Sequence, residues 1–297
     1  MTTIRPEDIR EAARACLVRA GSRFRPDQEA AYEAALARES NPRARWVLEG
    51  VLANARLAAR NQSPLCDDTG IPHLFVGLGQ EAALPPDWLS LVHQGVAQGL
   101  TDLPGRPMAV LGDDIARIEQ AQGLSPDPAD MLPAPAIVEP RPGPELELAV
   151  LLLGGGPEIR ARTLRVFHKR SADHVLAEAA AWAAKEAASL GCTPLVAALG
   201  IGRSHQEAAA LMLRAMARGR FDRQSPWEQK VTAAINQTQV GPLGLGGSNT
   251  CLATFLQIGP QRASGVRIVC LRPGCCFEPR RATVRLGPEG WRFSEPA

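Results

Sequence analysis

The sequence predicts an α+β protein, a helical N-terminal part followed by a mixed sheet with flanking helices. Two observations predict it. The first sixty residues hold three segments rich in Ala, Arg, Glu and Leu at helical spacing, each opened by a proline. Past residue 145, short aliphatic runs of strand length alternate with helical segments that start at serine and stop at glycine. No repeat interrupts this order. The chain reads as one continuous body over 1–297, with a helical front over 1–100 and a mixed α/β rear over 101–297.

Helices are expected over Pro6 to Ala20, Pro26 to Glu39 and Pro42 to Arg60. A proline in the first turn costs nothing, because its missing N–H would have no intrahelical partner there. Asn61 to Gly79, with Pro64, Gly70, Pro72 and Gly77, reads as a loop feeding an extended piece. Pro85-Pro86-Asp87 opens a helix to about Gly99. Residues 101 to 147 are rich in proline and read as irregular, wrapping structure. Leu148 to Leu153 is a buried strand ending at Gly154-Gly155-Gly156. Ser171 caps an alanine-rich helix that stops at Gly191. Pro194 to Leu199 is a strand, followed by Gly200-Ile201-Gly202. Ser204 with Glu207 and Ser225 with Glu228 each have capping-box spacing, opening helices to about Arg218 and Gln237. Strands are expected at Cys251 to Gln257, Val266 to Leu271 and Ala282 to Leu286.

Composition narrows the function classes. The formal net charge is +2 with the arginines dispersed, so no polyanion partner is implied. Aromatic residues are few, which argues against a stacking platform for nucleic acid. The longest apolar stretch, around Leu148 to Gly154, has the length of a strand and not of a membrane span. The N-terminus lacks the charged-then-apolar order of a signal peptide, so a cytoplasmic chain with reduced thiols is expected. Seven cysteines, an odd number, disfavour a disulfide framework.

Three cysteines lie at turn or loop signals: Cys66 in Pro64-Leu65-Cys66-Asp67-Asp68-Thr69-Gly70, Cys192 in Gly191-Cys192-Thr193-Pro194, and Cys276 in Gly274-Cys275-Cys276-Phe277-Glu278-Pro279-Arg280-Arg281. Three converging thiolates hold an iron–sulfur cluster and leave one iron open as a Lewis acid, which suggests a lyase over an electron carrier. In the first turn a thiolate, two carboxylates and a hydroxyl are adjacent, a set able to bind metal and move protons; the plain alternative is a capped turn. Gly241-Pro242-Leu243-Gly244-Leu245-Gly246-Gly247-Ser248-Asn249-Thr250 is a glycine-dense loop able to bring backbone N–H groups to an anion, or else a tight structural turn. It is not a P-loop, since it lacks Gly-Lys-Ser/Thr and precedes a strand. Cys16, Cys251 and Cys270 sit on helix and strand patterns and read as core. Zinc is disfavoured, because neither a C-x-x-C pair nor a histidine pair is present. A serine triad is disfavoured by the missing G-x-S-x-G elbow.

Taken together these segments resemble the iron–sulfur-dependent hydro-lyases, class I fumarase and the α subunit of L-tartrate dehydratase, along most of the chain. Pro64 to Gly70 is similar to that family's Pro-x-Cys-Gln-Asp-Thr-Gly, with Asp67 for Gln. Gly154 to Glu158 is similar to its Gly-Gly-Gly-Ser-Glu, with Pro157 for Ser. Cys192 to Gly202 is similar to its Cys-Pro-Pro stretch leading to Gly-Ile-Gly-Gly-Thr. Gly241 to Gly247 is the most specific match, to its Gly-Pro-x-Gly-Leu-Gly-Gly, and Cys276 with Arg280-Arg281 keeps the spacing of its final cysteine and Arg-Arg. The resemblance implies an α-type catalytic domain and a [4Fe-4S] cluster on Cys66, Cys192 and Cys276, with Cys275 competing for the third position. It implies a small hydroxy-dicarboxylate substrate such as tartrate, malate or fumarate. Asp68 and Arg106 are the implied catalytic residues. Asp67, Thr69, Arg106, Gly155, Gly156, Gly246 and Gly247 are the implied substrate-binding set. A guanidinium at Arg106 would clamp a carboxylate in two places, although a solvated loop arginine is the plain alternative.

The pattern also departs from the family. Gln261 to Val266 lacks the histidine that usually precedes the last cysteine, Leu153 stands for Lys and Ile159 for Asn. The family's α part is completed by a β domain or β subunit, so a β-type partner is implied, in a homodimer or an α2β2 assembly, with neither nucleic acid nor membrane. The departures keep a second reading in view: a diverged stand-alone iron–sulfur lyase or a metabolite-binding protein with a different substrate.

Overall fold

A computed structural model describes residues 3–294. The chain divides into two compact units, each built from non-contiguous segments. The first comprises residues 1–23, 55–153 and 280–297, and the second residues 24–54 and 154–279.

The first unit is a five-stranded sheet covered by helices. Its strands are β1 (Ile71–Gly79), β2 (Ile137–Arg141), β3 (Leu146–Leu153), β8 (Arg280–Gly287) and β9 (Gly290–Phe293), in the order β2-β1-β3-β8-β9. All neighbours are antiparallel except β1 and β2. Helices α1 (Pro6–Ser22) and α4 (Trp88–Asp102) pack on each other, and α1 lies on β8 and β3. Ile9, Leu17, Val92 and Leu100 from the helices meet Leu74, Leu148, Val150 and Val284 from the strands in one buried core. That apolar burial, at about 25 cal/mol per Å² removed from water, is what holds the layer together. Within the stretch expected to be irregular, the structure forms the short helix α5 (Asp114–Glu119) and the strand β2. Pro140 in β2 is tolerated because β2 is an edge strand.

The second unit is a four-stranded sheet, ordered β4-β7-β5-β6, of β4 (Arg162–Phe167), β5 (Leu195–Gly202), β6 (Cys251–Ile258) and β7 (Val266–Gly274). The pair β5–β6 is parallel and the others antiparallel. Helices α7 (Ala172–Leu190) and α9 (Pro226–Asn236) bury Ala179, Ala183, Val231 and Ile235 against Leu195, Ala197, Leu199 and Ile201. Helix α8 (His205–Arg218) covers the other face, its Ala208 and Met212 backbone lying against Gly200. Every residue of β5 is therefore buried. The unit also holds α2 (Pro26–Arg38), the first part of α3 (Pro42–Asn61) and the one-turn helix α6 (Gly155–Glu158).

The caps follow the sequence with one exception. Ser225 and Glu228 make a complete capping box on α9. Ser204 accepts from the Glu207 N–H on α8, but the Glu207 carboxylate takes the Arg203 backbone and guanidinium instead of closing the box. A charged fork one residue upstream outcompetes a neutral N–H. Among the described residues, no helix is long and apolar enough to cross a membrane.

Candidate active site

In the first unit, β1 is preceded by the turn that carries Cys66, Asp67, Asp68 and Thr69. Asp67 organises it. Its Oδ1 accepts from the Asp68 N–H at 2.9 Å and from the Cys66 thiol at 3.5 Å. Its Oδ2 lies 3.5 Å from the Arg106 guanidinium, with both side chains well exposed. The turn closes at Gly70, whose φ is +84° and whose absent Cβ would meet the Leu153 carbonyl at 2.6 Å. Below it Arg280, only 2% exposed, donates to the Asp68 carbonyl. Its place at the start of β8, opposite Leu152 of β3, sets that contact. Thr69 is buried at 1%, and its hydroxyl accepts the Arg106 N–H at 2.8 Å. Thr69 thus joins the loop of Arg106 to the turn of Cys66 instead of facing outward.

In the second unit, four loops named by the sequence meet at one end of the sheet. The Cys276 N–H donates to the Cys192 carbonyl at 2.8 Å, tying the last cysteine loop to the segment before β5. Thr193 anchors the glycine-dense loop: its hydroxyl donates to the Gly241 carbonyl at 2.5 Å, and its own carbonyl accepts from Leu243 N–H at 3.0 Å. Glu278 reaches the triple glycine, accepting the Gly154 N–H at 2.8 Å. Cys192 is exposed, while Cys275 and Cys276 are 8% and 4% exposed. Gly155 and Gly156 lie exposed on α6.

A buried ion pair holds this end of the sheet. Arg272 on β7 and Glu278 are both fully buried side chains in contact through two guanidinium nitrogens. The same guanidinium donates to the Gly154 carbonyl at 3.0 Å and to Glu158 at 3.1 Å. Burial alone would depress the Arg272 pKa, but Glu278 and Glu158 more than offset it, so the cation is retained. On α2, the Tyr32 hydroxyl donates to the Cys276 carbonyl and Gln28 donates to the Glu278 carbonyl at 3.4 Å. Burial, followed by the neighbouring Cys276 and Cys275 thiols, pushes the Tyr32 phenol well above its ordinary value. Sequence reading missed Arg272, Glu278, Tyr32 and Gln28. Only the Phe277-Glu278-Pro279 context beside Cys276 was available to mark one of them.

Of the two readings the sequence left open for the glycine-dense loop, an anion cradle or a tight structural turn, its hydrogen bonds have the character of the tight turn. Its N–H groups turn inward: Gly241 to Thr250, Gly244 and Leu243 toward Gly241 and Thr193, Leu245 to Pro242, Gly246 to Val240 and Ser248 to Glu39. The Ser248 hydroxyl and the Asn249 amide also donate to Glu39. Burial would raise the Glu39 carboxyl, but donors from Asn41, Asn249 and Ser248 outweigh it and hold the pKa below its ordinary value. Gly241, at φ +68°, has the Gly246 carbonyl where a Cβ would stand, at 1.9 Å.

Cys16, Cys251 and Cys270 are buried, as the sequence expected. Burial pushes the thiols of Cys16 and Cys251 up to about 12. Among the described residues, no three His, Cys, Asp or Glu side chains are grouped closely enough to hold a single metal ion.

The family profile described as fumarate hydratase (Fumerase) matches residues 10–285, nearly the whole chain. The chain belongs to the fumarate hydratase family. It is a hydro-lyase of the fumarate hydratase and tartrate dehydratase type. A protein of Methanocaldococcus jannaschii provisionally named L(+)-tartrate dehydratase subunit alpha is 24% identical over 271 residues, 88% of this chain and 91% of that one. The L(+)-tartrate dehydratase subunit alpha of Escherichia coli strain UTI89 is 23% identical over 258 residues, 84% of this chain and 80% of that one. At such identity the chain is a diverged member of the family.

Proposed function

We infer that this chain is the α-type subunit of a [4Fe-4S]-dependent hydro-lyase acting on a small hydroxy-dicarboxylate such as tartrate, malate or fumarate, and that 1–297 forms one catalytic domain. The observation that carries the reading is the hydrogen-bonded assembly of the Cys192, Cys276, Gly154 and Gly241 loops in one unit, joined to family membership. The donor set fits a cluster. Cys192 and Cys276 are thiols on two loops linked backbone to backbone, Cys66 sits on a half-exposed turn, and thiolates are the ligands such clusters take. The link to Cys192 favours Cys276 over Cys275 as third ligand. Cys66, Cys192 and Cys276 would hold the cluster. An iron without a protein ligand supplies Lewis acidity toward a hydroxyl.

The residues of this chain do the rest. Arg106, exposed and held in place by Thr69, binds a substrate carboxylate in competition with Asp67. Asp68, whose backbone is fixed by Asp67 and Arg280, transfers the proton removed from the carbon beside the leaving hydroxyl. Loss of that proton and of hydroxide leaves a carbon–carbon double bond and water. Gly155 and Gly156 leave space at the exposed end of α6, and Gly246 and Gly247 bear on substrate by shaping the loop beside Cys192. The curated relatives are named as alpha subunits, which supports a β-type partner in an α2β2 assembly, with a homodimer as the alternative.

The test is anaerobic reconstitution with ferrous iron and sulfide. Cys66→Ser, Cys192→Ser and Cys276→Ser should each lower bound iron and the visible absorbance, and Cys275→Ser should not. Malate, fumarate and tartrate are then assayed with and without a β-type partner, and the chain alone should turn over poorly. Unchanged iron content in the Cys192→Ser and Cys276→Ser variants would overturn the ligand assignment.

A further inference from the structure

The second unit carries a cavity at the end of its sheet remote from Cys192 and Cys276. Ile201 and Ile258, at the C-terminal ends of the parallel strands β5 and β6, form part of its wall. Cys192 precedes the N-terminal end of β5, so the length of that strand, roughly 25 Å at about 3.3 Å per residue, separates the two places. The cavity holds ≈ 220 Å³. Val175 and Leu176 of α7 and Trp227 of α9 supply further apolar wall. Ligands of α/β sheets settle at the carboxyl ends of parallel strands, and this cavity occupies that position.

Its charge is one-sided. Arg170 and Arg267 both line it, and among the described residues no acidic side chain does. Arg267 is anchored through Nη1 to the Ser264 and Val266 carbonyls, each at 3.1 Å, which fixes the fork beside the cavity. The nearest acid on α7, Asp173, is engaged with Lys230. The first turns of α7 and α9, at Ala172 and Trp227, also face the space and add the positive end of two helices. A mostly apolar cavity whose lining includes two arginines suits an organic anion with a flat or branched hydrocarbon body.

We propose that this cavity is a binding site for a small aryl or branched-chain monocarboxylate, separate from the hydro-lyase centre. The carboxylate pairs with Arg170 and Arg267, and the hydrocarbon body packs on Trp227, Val175 and Ile258. A hydroxy-dicarboxylate is too polar for these walls, so the cavity discriminates against the substrate class of the catalytic site.

The probes are benzoate and 4-methylpentanoate, with benzamide as the neutral counterpart of benzoate, titrated into the full chain by calorimetry and ligand-observed NMR. Saturable binding of at least one carboxylate is expected. Benzamide should bind at least about tenfold more weakly than benzoate, as loss of a charge-assisted pair implies. Arg170→Ala with Arg267→Ala should weaken carboxylate binding by about tenfold or more, and Val175→Trp, which fills the space, should abolish it. Circular dichroism checks that each variant is folded, and Arg170→Gln with Arg267→Gln carries the same comparison if the alanine pair is not. Cys276→Ser should bind the probes as the unaltered chain does, which keeps this test independent of the cluster. No saturable binding of either carboxylate, equal binding of benzamide, or undiminished binding by the arginine variants would each overturn the proposal.

Discussion

Replacing Glu278 by alanine should be among the most damaging single changes in the second unit. The carboxylate is fully buried, makes the bidentate contact to Arg272, and accepts the Gly154 N–H at 2.8 Å. Its removal strands a guanidinium that is also fully buried, leaving it the Gly154 carbonyl and a Glu158 carboxylate that is itself 57% exposed. Breaking one side of a buried pair costs about 3–5 kcal/mol, and the orphaned Gly154 N–H lies within that figure. With a urea slope of about 2–3 kcal/mol per M, the midpoint should fall by about 1–2 M. Urea titration followed by circular dichroism reads this directly. Arg272→Met with Glu278→Leu removes both charges and should cost clearly less than Glu278→Ala alone, because no charge is then left unpaired. A Glu278→Ala midpoint within about 0.3 M of the unaltered chain, or a double variant worse than the single, would refute the reasoning.

Three further outcomes are expected. Gly70→Ala forces a side chain onto a φ of +84° and a Cβ to 2.6 Å from the Leu153 carbonyl, so it should cost at least about 2 kcal/mol in the same titration. Glu39 has a folded pKa below its ordinary 4.5, so its contribution is present above pH 4.5 and is lost as pH falls through the folded value. The midpoint difference between Glu39→Gln and the unaltered chain should therefore be largest near neutrality and shrink below pH 4.5; a constant difference down to pH 3 would count against it. Iodoacetamide at neutral pH should modify the exposed Cys192 ahead of Cys16 and Cys251, whose buried thiols are raised to about 12, and peptide mass mapping gives the order.

Local devices were readable because their causes are local. Ser171, Ser225 and Glu228, the prolines at 6, 26 and 42, and Gly191 act within one or two turns, and the helices they bound stand as expected. The strands that escaped reading are edge or short ones. β4 sets Arg162, Thr163 and Arg165 among apolar residues on a largely exposed edge without regular alternation, β2 contains a proline, and β9 has four residues. Neither unit is contiguous, and β8 returns after more than a hundred residues to pair with β3. No short window of sequence records such a return. The same holds at the site. The cysteines and glycines announced themselves as motifs, while Arg272, Tyr32 and Glu39 matter through partners brought close only by folding.

The glycine-dense loop bears most on how an anionic substrate would be recognised. A backbone cradle needs N–H groups that point outward, yet this loop directs those of Gly241, Leu243, Gly244, Leu245, Gly246 and Ser248 to acceptors within its own unit. Its glycines serve compaction: at Gly241 the Gly246 carbonyl occupies the place of a side chain. The folded loop then presses on Thr193, which fixes the segment that bears Cys192. On the function proposed above, recognition of a substrate carboxylate falls to side chains able to reach outward, among them Arg106, which is exposed and faces the carboxylate of Asp67. If Arg106 binds substrate as proposed, binding exchanges one carboxylate for another, and Asp67→Asn, by removing the resident anion, should lower KM while leaving the Thr69 anchor intact. A raised KM in that variant would instead place Asp67 among the groups that hold the substrate.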